Sequence, residues 1–239
     1  QNNIEAIYEK KNLEEEEIKD LIISLKEKKI NGINVTVPFK KTVIPFLDKL
    51  TFEASQTQSV NTIYLQNNEI VGHNTDIKGF EISLNKINFE ITKKRVLILG
   101  SGGVVSSLIF VLNKMNVSSI TISNRTREKA EELRKLFAGL NIVKWGEIPS
   151  FDIIINATSI GLKENEKINL DFSEVGKNKL FYDLIYNPKE TNFLKLGKSR
   201  GNKTENGKMM FIYQAASAFK EWHNIYPEIN DEVLSLLDL

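Results

Sequence analysis

A chain of 239 residues, 41% hydrophobic and 26% charged, has the material for one large core or two smaller ones and is not a disordered tail. Its 32 Lys and Arg against 31 Asp and Glu leave a net charge of +1, so no global field draws it to nucleic acid or an acidic membrane. The absence of Cys excludes a disulfide scaffold, a thiol nucleophile and a Cys-based metal site, and two His are too few for a His-only one, so no metal is expected. No apolar run approaches the ~18 residues of a membrane span and no signal peptide is visible, which leaves a soluble, cytoplasmic, enzyme-sized protein as the expectation. The chain opens on Gln1 and not on Met, so its native start is expected upstream.

Asn12 is placed to cap a first helix, on which Ile18, Leu21, Ile22 and Leu25 share one apolar face. The acidic run Glu14-Glu15-Glu16-Glu17 reads as a solvated face. Residues 33–37 alternate like a strand, and Pro38 ends it and opens a helix carrying Val43, Phe46 and Leu47. Residues 60–65 and 70–73, flanking Gln66-Asn67-Asn68-Glu69, predict a hairpin. A helix follows Asp76, with Phe80, Leu84 and Ile87 on its inner side.

The pattern then changes. Val96-Leu97-Ile98-Leu99 is a continuous apolar run of the buried parallel-strand kind. Gly100-Ser101-Gly102-Gly103 follows at once, and then a helical stretch through Met115. Residues 119–123 and 127–137 repeat the strand–helix alternation, while 152–156 and 180–186 add buried strands. Such alternation predicts a doubly wound sheet from about residue 77 onward. The C-terminal region is helical over 209–222 and again over 233–237.

A glycine turn between a buried strand and a helix is the context of a dinucleotide phosphate site. Gly100 permits the tight turn, and Gly102 lets the backbone approach a pyrophosphate at the helix N-terminus. The third position of this fingerprint is Val105, where Gly or Ala is usual, which predicts looser packing of helix on strand. The second strand selects the nucleotide. An NAD site wants Asp or Glu ~20 residues past the glycines; this chain reads Asn124-Arg125-Thr126 there. A guanidinium and a hydroxyl suit a 2′-phosphate, with no carboxylate to repel it, so NADP is expected. The plainer reading of Thr126 is a helix N-cap.

Three further segments look chemical. Asn34-Val35-Thr36-Val37-Pro38-Phe39-Lys40 sets Lys40 just past Pro38, although a surface lysine is an equal alternative. Val60-Asn61-Thr62 pairs with Gly72-His73-Asn74-Thr75-Asp76, where Asp76 taken alone reads as an N-cap and His73 as a strand residue. Asn156-Ala157-Thr158-Ser159 with Gly161 closes a buried strand at the edge where such sheets bind ligands.

Together with Gly79-Phe80, Tyr182-Asp183 through Tyr186-Asn187-Pro188, and Gln214-Ala215-Ala216 with Phe219 and Trp222, these segments resemble the shikimate dehydrogenase family, in order, across almost the whole chain. The reading is a two-domain α/β protein. A Rossmann-like, doubly wound NADP-binding domain spans 77–207, and a smaller α/β substrate domain comprises 1–76 and 208–239. The chemical motifs are split across both halves, so a cleft that closes by a hinge is expected. The resemblance implies NADP-linked, reversible reduction of 3-dehydroshikimate to shikimate in aromatic amino-acid biosynthesis. It makes Lys40 the acid/base and Asp76 its partner, which suits the chemistry: hydride arriving at a ketone leaves an alkoxide that needs a nearby proton donor or cation.

The family's substrate contacts map onto Thr36, Lys40, Asn61, Asp76, Tyr186 and Gln214. Its cofactor contacts map onto Gly100, Gly102, Gly103, Asn124, Arg125, Thr126, Lys129, Thr158, Gly207 and Met210. In the plainer readings Thr36 and Asn61 serve strand ends, Tyr186 packs, Gln214 lies on a helix surface and Met210 belongs to a core. The family's opening strand, helix and carboxylate-binding Ser-x-Ser motif have no counterpart in this chain. Lys129 is a point charge that does not clamp a 2′-phosphate bidentately, and Val104-Val105 replaces smaller residues. Two alternatives stay open: a quinate/shikimate dehydrogenase preferring NAD, and a catalytically silent NADP-binding module. The partner expected is one small-molecule substrate, with no nucleic acid and no membrane, in a monomer or homodimer.

Overall fold

The computed structural model describes residues 4–163 and 165–237; Gln1 lies outside the described residues. A 3-10 turn at Glu15–Glu17 leads into α1 (Ile18–Lys26), which buries Ile18, Ile22 and Leu25. The cap is Glu14 and not Asn12. Glu14 and Glu17 form a reciprocal capping box, with the Glu14 N–H donating to the Glu17 carboxylate at 2.8 Å. The acidic run therefore satisfies N–H groups that the first turn leaves without partners, and is more than a solvated face.

β1 (Gly32–Asn34) is shorter than expected, and no α-helix follows Pro38. The chain descends instead through turns to a 3-10 turn at Ile44–Phe46. Pro45 supplies no N–H for the Lys41 carbonyl, which accepts from Ile44 N at 3.1 Å and so tightens the turn away from α geometry. β2 (Lys49–Leu50), α2 (Phe52–Thr57) and the hairpin β3 (Thr62–Gln66) and β4 (Glu69–His73) complete the first sheet, ordered β1-β3-β4-β2. The hairpin turns on Asn67 and Asn68, whose φ values of 51° and 64° match the twist of the flanking strands. Ile18, Ile22, Leu25, Val35, Ala54, Val60 and Ile63 form the core under this sheet.

α3 (Thr75–Lys86) follows, with Phe80 and Leu84 buried. Its cap is Asn74, whose Oδ1 accepts the Asp76 N–H at 3.2 Å, so Asp76 lies inside the first turn and is not the cap. Next come β5 (Arg95–Leu99), α4 (Val105–Lys114), β6 (Ser119–Asn124), α5 (Arg127–Leu136), β7 (Asn141–Lys144) and β8 (Ile153–Asn156). The chain continues through β9 (Leu180–Asp183), α6 (Asn192–Ser199), β10 (Lys203–Glu205), α7 (Lys208–His223) and α8 (Asp231–Ser235). Thr126 occupies the N-cap position of α5, but its side chain makes no capping hydrogen bond. The strands β5 to β10 form a six-stranded, wholly parallel sheet ordered β10-β9-β8-β5-β6-β7. Strand order reverses between β5 and β8, and their carboxyl ends open the crevice where ligands bind in such sheets.

Alternate residues of the central strands face opposite layers. Val96, Ile98, Ile153 and Ile155 pack with α3 and α4; Leu97, Leu99, Ile154 and Phe181 pack with Phe172, Phe193 and Leu194. Val105 is fully buried in the first of these layers. Among the described residues no helix is long and apolar enough to cross a membrane.

Helices α3 and α7 join the two sheets. α7 starts in the large core with Met210 and ends against the small sheet, where the Trp222 indole donates to the Ile63 carbonyl at 3.2 Å. The two helices meet at Gly79, where a Cβ would stand 2.5 Å from the Met210 carbonyl oxygen and 2.9 Å from Gln214 N. We predict that Gly79→Ala costs about 1–3 kcal/mol in urea unfolding, because helix backbone must move to admit one methyl. Gly176→Ala, where nothing stands within 4 Å of the new Cβ, should stay within about 0.5 kcal/mol of the parent. Equal losses at the two positions would contradict this packing account.

Candidate active site

The turns after β1 carry Lys40, whose carbonyl accepts Val60 N–H at 2.8 Å and is thereby fixed to the approach of β3. Its Nζ stands 2.5 Å from Asp76 Oδ2, and the two side chains are only 12% and 8% exposed. Asp76 sits in the first turn of α3, where the helix dipole favours a negative charge. Its second oxygen, Oδ1, accepts from Asn61 Nδ2 at 2.9 Å. The Asn61 amide has only one workable orientation. Its oxygen accepts from Thr75 N at 2.8 Å and lies 3.0 and 3.1 Å from the Thr62 and Thr75 hydroxyls, so its nitrogen must face the carboxylate. Asn34 Nδ2 in turn donates to the Asn61 carbonyl at 3.1 Å. One of the three ammonium donors of Lys40 is thus held by Asp76, and among the described residues the others have no hydrogen-bond partner, so they could meet a ligand.

β5 runs directly into the glycine turn. Gly100 has φ +103°, and a Cβ there would lie 2.9 Å from the Ala157 carbonyl oxygen. Gly102 and Gly103 are different: the nearest atoms to a Cβ are 3.9 and 3.8 Å away, the latter being Lys40 Cδ. The exposed face of this turn, at the N-terminus of α4, is a cradle that side chains would fill, and the stem of Lys40 lies beside it. Ser59 Oγ donates to the Gly103 carbonyl at 3.2 Å, tying the first sheet's loops to the turn. At the end of β6, Asn124 Nδ2 bonds the Thr126 carbonyl at 2.7 Å, and Arg125, Thr126 and Lys129 are exposed. Neither Arg125 nor Lys129 has an ion-pair partner among the described residues. An open phosphate cradle, with Arg125 just past the adjacent strand end and Lys129 in the first turn of α5, fits a 2′-phosphorylated dinucleotide. Among the described residues no group of three His, Asp or Glu is placed to hold a metal.

The remaining expected residues divide into two sets. Met210 and Gln214 lie along α7 against Gly79, one helical turn from Asp76. Met210 is also core, and Gln214 Nε2 donates to the Phe211 carbonyl at 3.0 Å. Tyr186 stacks on Phe211 with ring centroids 4.6 Å apart. Among the described residues no hydrogen bond joins Thr36 or Tyr186 to the Lys40 array, and Thr36 is exposed. Gly207 has a backbone reason to be glycine, since a Cβ would fall 2.0 Å from the Leu184 carbonyl oxygen. His73 is a strand residue of β4, its Nδ1 2.8 Å from Thr51 Oγ1, and burial lowers its pKa.

Sequence reasoning missed what orients Thr158. Asn156 Oδ1 accepts from the Thr158 hydroxyl at 2.7 Å and from Thr158 N at 3.1 Å, while that hydroxyl accepts from Ile160 N at 3.1 Å. Thr158 therefore offers a ligand its carbonyl and methyl, not its hydroxyl proton. The Asn156 amide is turned by buried Asp183, whose Oδ1 accepts from Asn156 Nδ2 at 3.0 Å and from Ile185 N at 3.1 Å. Its Oδ2 accepts from Thr191 Oγ1 at 2.6 Å. A carboxylate at the end of an otherwise apolar strand was the only available signal.

Two family models match the chain: the shikimate dehydrogenase substrate binding domain over residues 1–63, and shikimate / quinate 5-dehydrogenase over residues 82–189. A shikimate dehydrogenase (NADP(+)) of Pelagibacter ubique is 56% identical over 236 residues, covering 99% of this chain and 89% of the relative. The chain belongs to the shikimate dehydrogenase family. Solved structures of shikimate dehydrogenases superpose closely. That from Aquifex aeolicus has a TM-score of 0.84 at 35% identity, covering 95% of this chain and 84% of that one. A shikimate dehydrogenase in complex with NADP+ also reaches 0.84, at 36% identity, covering 93% and 80%.

Burial pushes the Asp183 carboxyl up to about 6 from 3.8, against the lowering effect of its three hydrogen bonds. Between those two values the folded protein binds this proton more tightly than the unfolded chain, so the contribution to stability falls as pH rises through the window. Asp183→Asn, which is isosteric and does not ionise, should remove this slope. Its Tm relative to the parent should climb across the window, and a constant difference would contradict the assignment.

Proposed function

We propose that the protein catalyses the NADP-dependent, reversible reduction of 3-dehydroshikimate to shikimate, a step toward the aromatic amino acids. The observation that carries this reading is the Lys40–Asp76–Asn61 array standing beside the glycine turn. Gly100, Gly102, Gly103 and the start of α4 would hold the pyrophosphate. Asn124, Arg125, Thr126 and Lys129 would hold the 2′-phosphate, and Thr158, Gly207 and Met210 the nicotinamide side. Bound NADPH supplies the hydride. Thr36, Asn61, Tyr186 and Gln214 complete the substrate's surroundings.

The chemistry left to the chain is one proton and one developing charge. As hydride reaches the carbonyl carbon, negative charge collects on the carbonyl oxygen. The Lys40 ammonium, steadied through one N–H by Asp76, directs another at that oxygen, offsets the charge and gives up a proton to form the alcohol. In the oxidation direction neutral Lys40 takes the hydroxyl proton as hydride leaves. Asp76 keeps lysine and hydroxyl in register, and Asn61 keeps Asp76 from turning. The substrate lobe is 1–76 with 208–239 and the cofactor lobe 77–207; these boundaries lie at the starts of α3 and α7, about which the cleft closes. The protein is cytoplasmic and works as a monomer or homodimer.

Absorbance at the nicotinamide band tests the reading directly, using full-length protein with shikimate or quinate and with NADP or NAD. Fast reduction of NADP by shikimate, with little from NAD or quinate, is expected. Preferred turnover of NAD and quinate, or tight NADP binding without turnover, would replace the proposal by the broader dehydrogenase or by the silent binding module. Arg125→Gln should raise the KM for NADP about tenfold while kcat changes little, because the lost contact is to a remote phosphate. An unchanged KM would remove Arg125 from the cofactor site.

A further inference from the structure

Asn74 is only 1% exposed, at the junction of β4 and α3 and two residues before Asp76. Its side-chain oxygen caps α3 by accepting the Asp76 N–H at 3.2 Å. Its two amide protons leave in different directions, one to Thr57 Oγ1 at 3.0 Å at the end of α2 and the other to Ser107 Oγ at 2.9 Å on α4. Both hydroxyl residues are fully buried, and Thr57 spends its own proton on the Glu53 carbonyl at 2.7 Å, so it receives Asn74 as an acceptor. A cap needs only a side-chain oxygen, which Ser, Thr or Asp would supply equally well. Only an amide caps and also donates twice.

Ser107 stands in the first turn of α4, the helix that opens on the phosphate cradle. A single buried side chain thus runs from the backbone of the candidate catalytic carboxylate to the candidate phosphate-binding helix. Among the described residues the other polar ties between the two halves near the site are longer. Ser59 reaches a carbonyl of the glycine turn at 3.2 Å, and the exposed Lys41–Glu132 pair is 3.8 Å apart.

We infer that Asn74 is a positioning residue for the reaction: it sets the angle of the turn that carries Asp76 against helix α4, so that the Lys40–Asp76 pair is registered to the cofactor and not only to the substrate lobe. The inference rests on the roles proposed for Lys40 and Asp76. Asn74 itself touches no reacting atom. Losing its outward donors lets the carboxylate turn pivot, which misplaces the proton donor relative to the hydride path while leaving both ligand pockets in place.

Full-length Asn74→Ser, Ser107→Ala, Thr57→Val and Lys40→Ala proteins test it by steady-state kinetics alongside Tm. Asn74→Ser retains a capping oxygen and loses the span; Ser107→Ala leaves Asn74 and its cap intact. Both should lower kcat about tenfold or more, with KM for NADP and shikimate within about threefold of the parent. Thr57→Val, which removes only the tie to α2, should cost less than Ser107→Ala. The inference is overturned if Asn74→Ser and Ser107→Ala keep kcat within about twofold, or lose only KM, while Lys40→Ala is inactive. Should Asn74→Ser fail to fold, Ser107→Ala decides alone. Full turnover by Lys40→Ala would overturn the underlying reading instead.

Discussion

An ammonium and a carboxylate 2.5 Å apart, both nearly removed from water, are costly unless each remaining lone pair and proton is accounted for. Much of the small sheet can be understood as that accounting. The hairpin brings Asn61 and Thr62 opposite His73 and the start of α3, so the Asn61 amide can face the carboxylate. Thr62 and Thr75 surround its oxygen and keep it from rotating. The first turn of α3 adds its dipole to the same charge. Among the described residues only Asp76 bonds the Lys40 ammonium, and the proposed function would place the substrate oxygen at its remaining donors.

The large sheet contributes a second constraint, the approach of backbone to ligand. Its strand order reverses at β5, so the glycine turn after β5 faces the turn after β8 across the crevice. Gly100 gives space to the Ala157 carbonyl, whereas Gly102 and Gly103 leave open space that the proposed cofactor would fill. Lys40 reaches this turn from the other sheet, and Asp183 and Asn156 set the opposite wall through a buried chain of hydrogen bonds. In the proposed function, proton donor and hydride source would be brought together where the two sheets meet along α3 and α7, with Asn74 bonded to both sides of that junction.

The parts of this arrangement legible in the sequence were those with a strong local cause. The run Val96-Leu97-Ile98-Leu99 ending in glycine marked β5 and its turn, because only a strand buried on both faces is apolar at every position. Asn67-Asn68 marked the hairpin because few residues accept two left-handed positions in succession. Where tertiary context decides, local reading went astray. The expected helix after Pro38 is a chain of turns, since Pro45 breaks the ladder and Lys40 must face Asp76. Asp76 taken alone reads as a cap because carboxylates cap well, but it lies inside the first turn and Asn74 takes the cap. β7 and β10, at the edges of the large sheet, are short and half-polar and carry no pattern that separates them from loop. The motif residues were legible chiefly through their resemblance to a family; the bonds that orient them, from Asn61 to Asp183, became visible only in the folded chain.

The proposed function requires Lys40 and Asp76 to act as one unit. A double-mutant cycle on kcat, comparing Lys40→Ala, Asp76→Ala and the double variant in shikimate-dependent NADP reduction, tests it most directly. Residues that act as a unit are strongly non-additive, so the double variant should be hardly slower than the slower single one. Losses that multiply would show two independent contributions and contradict the account.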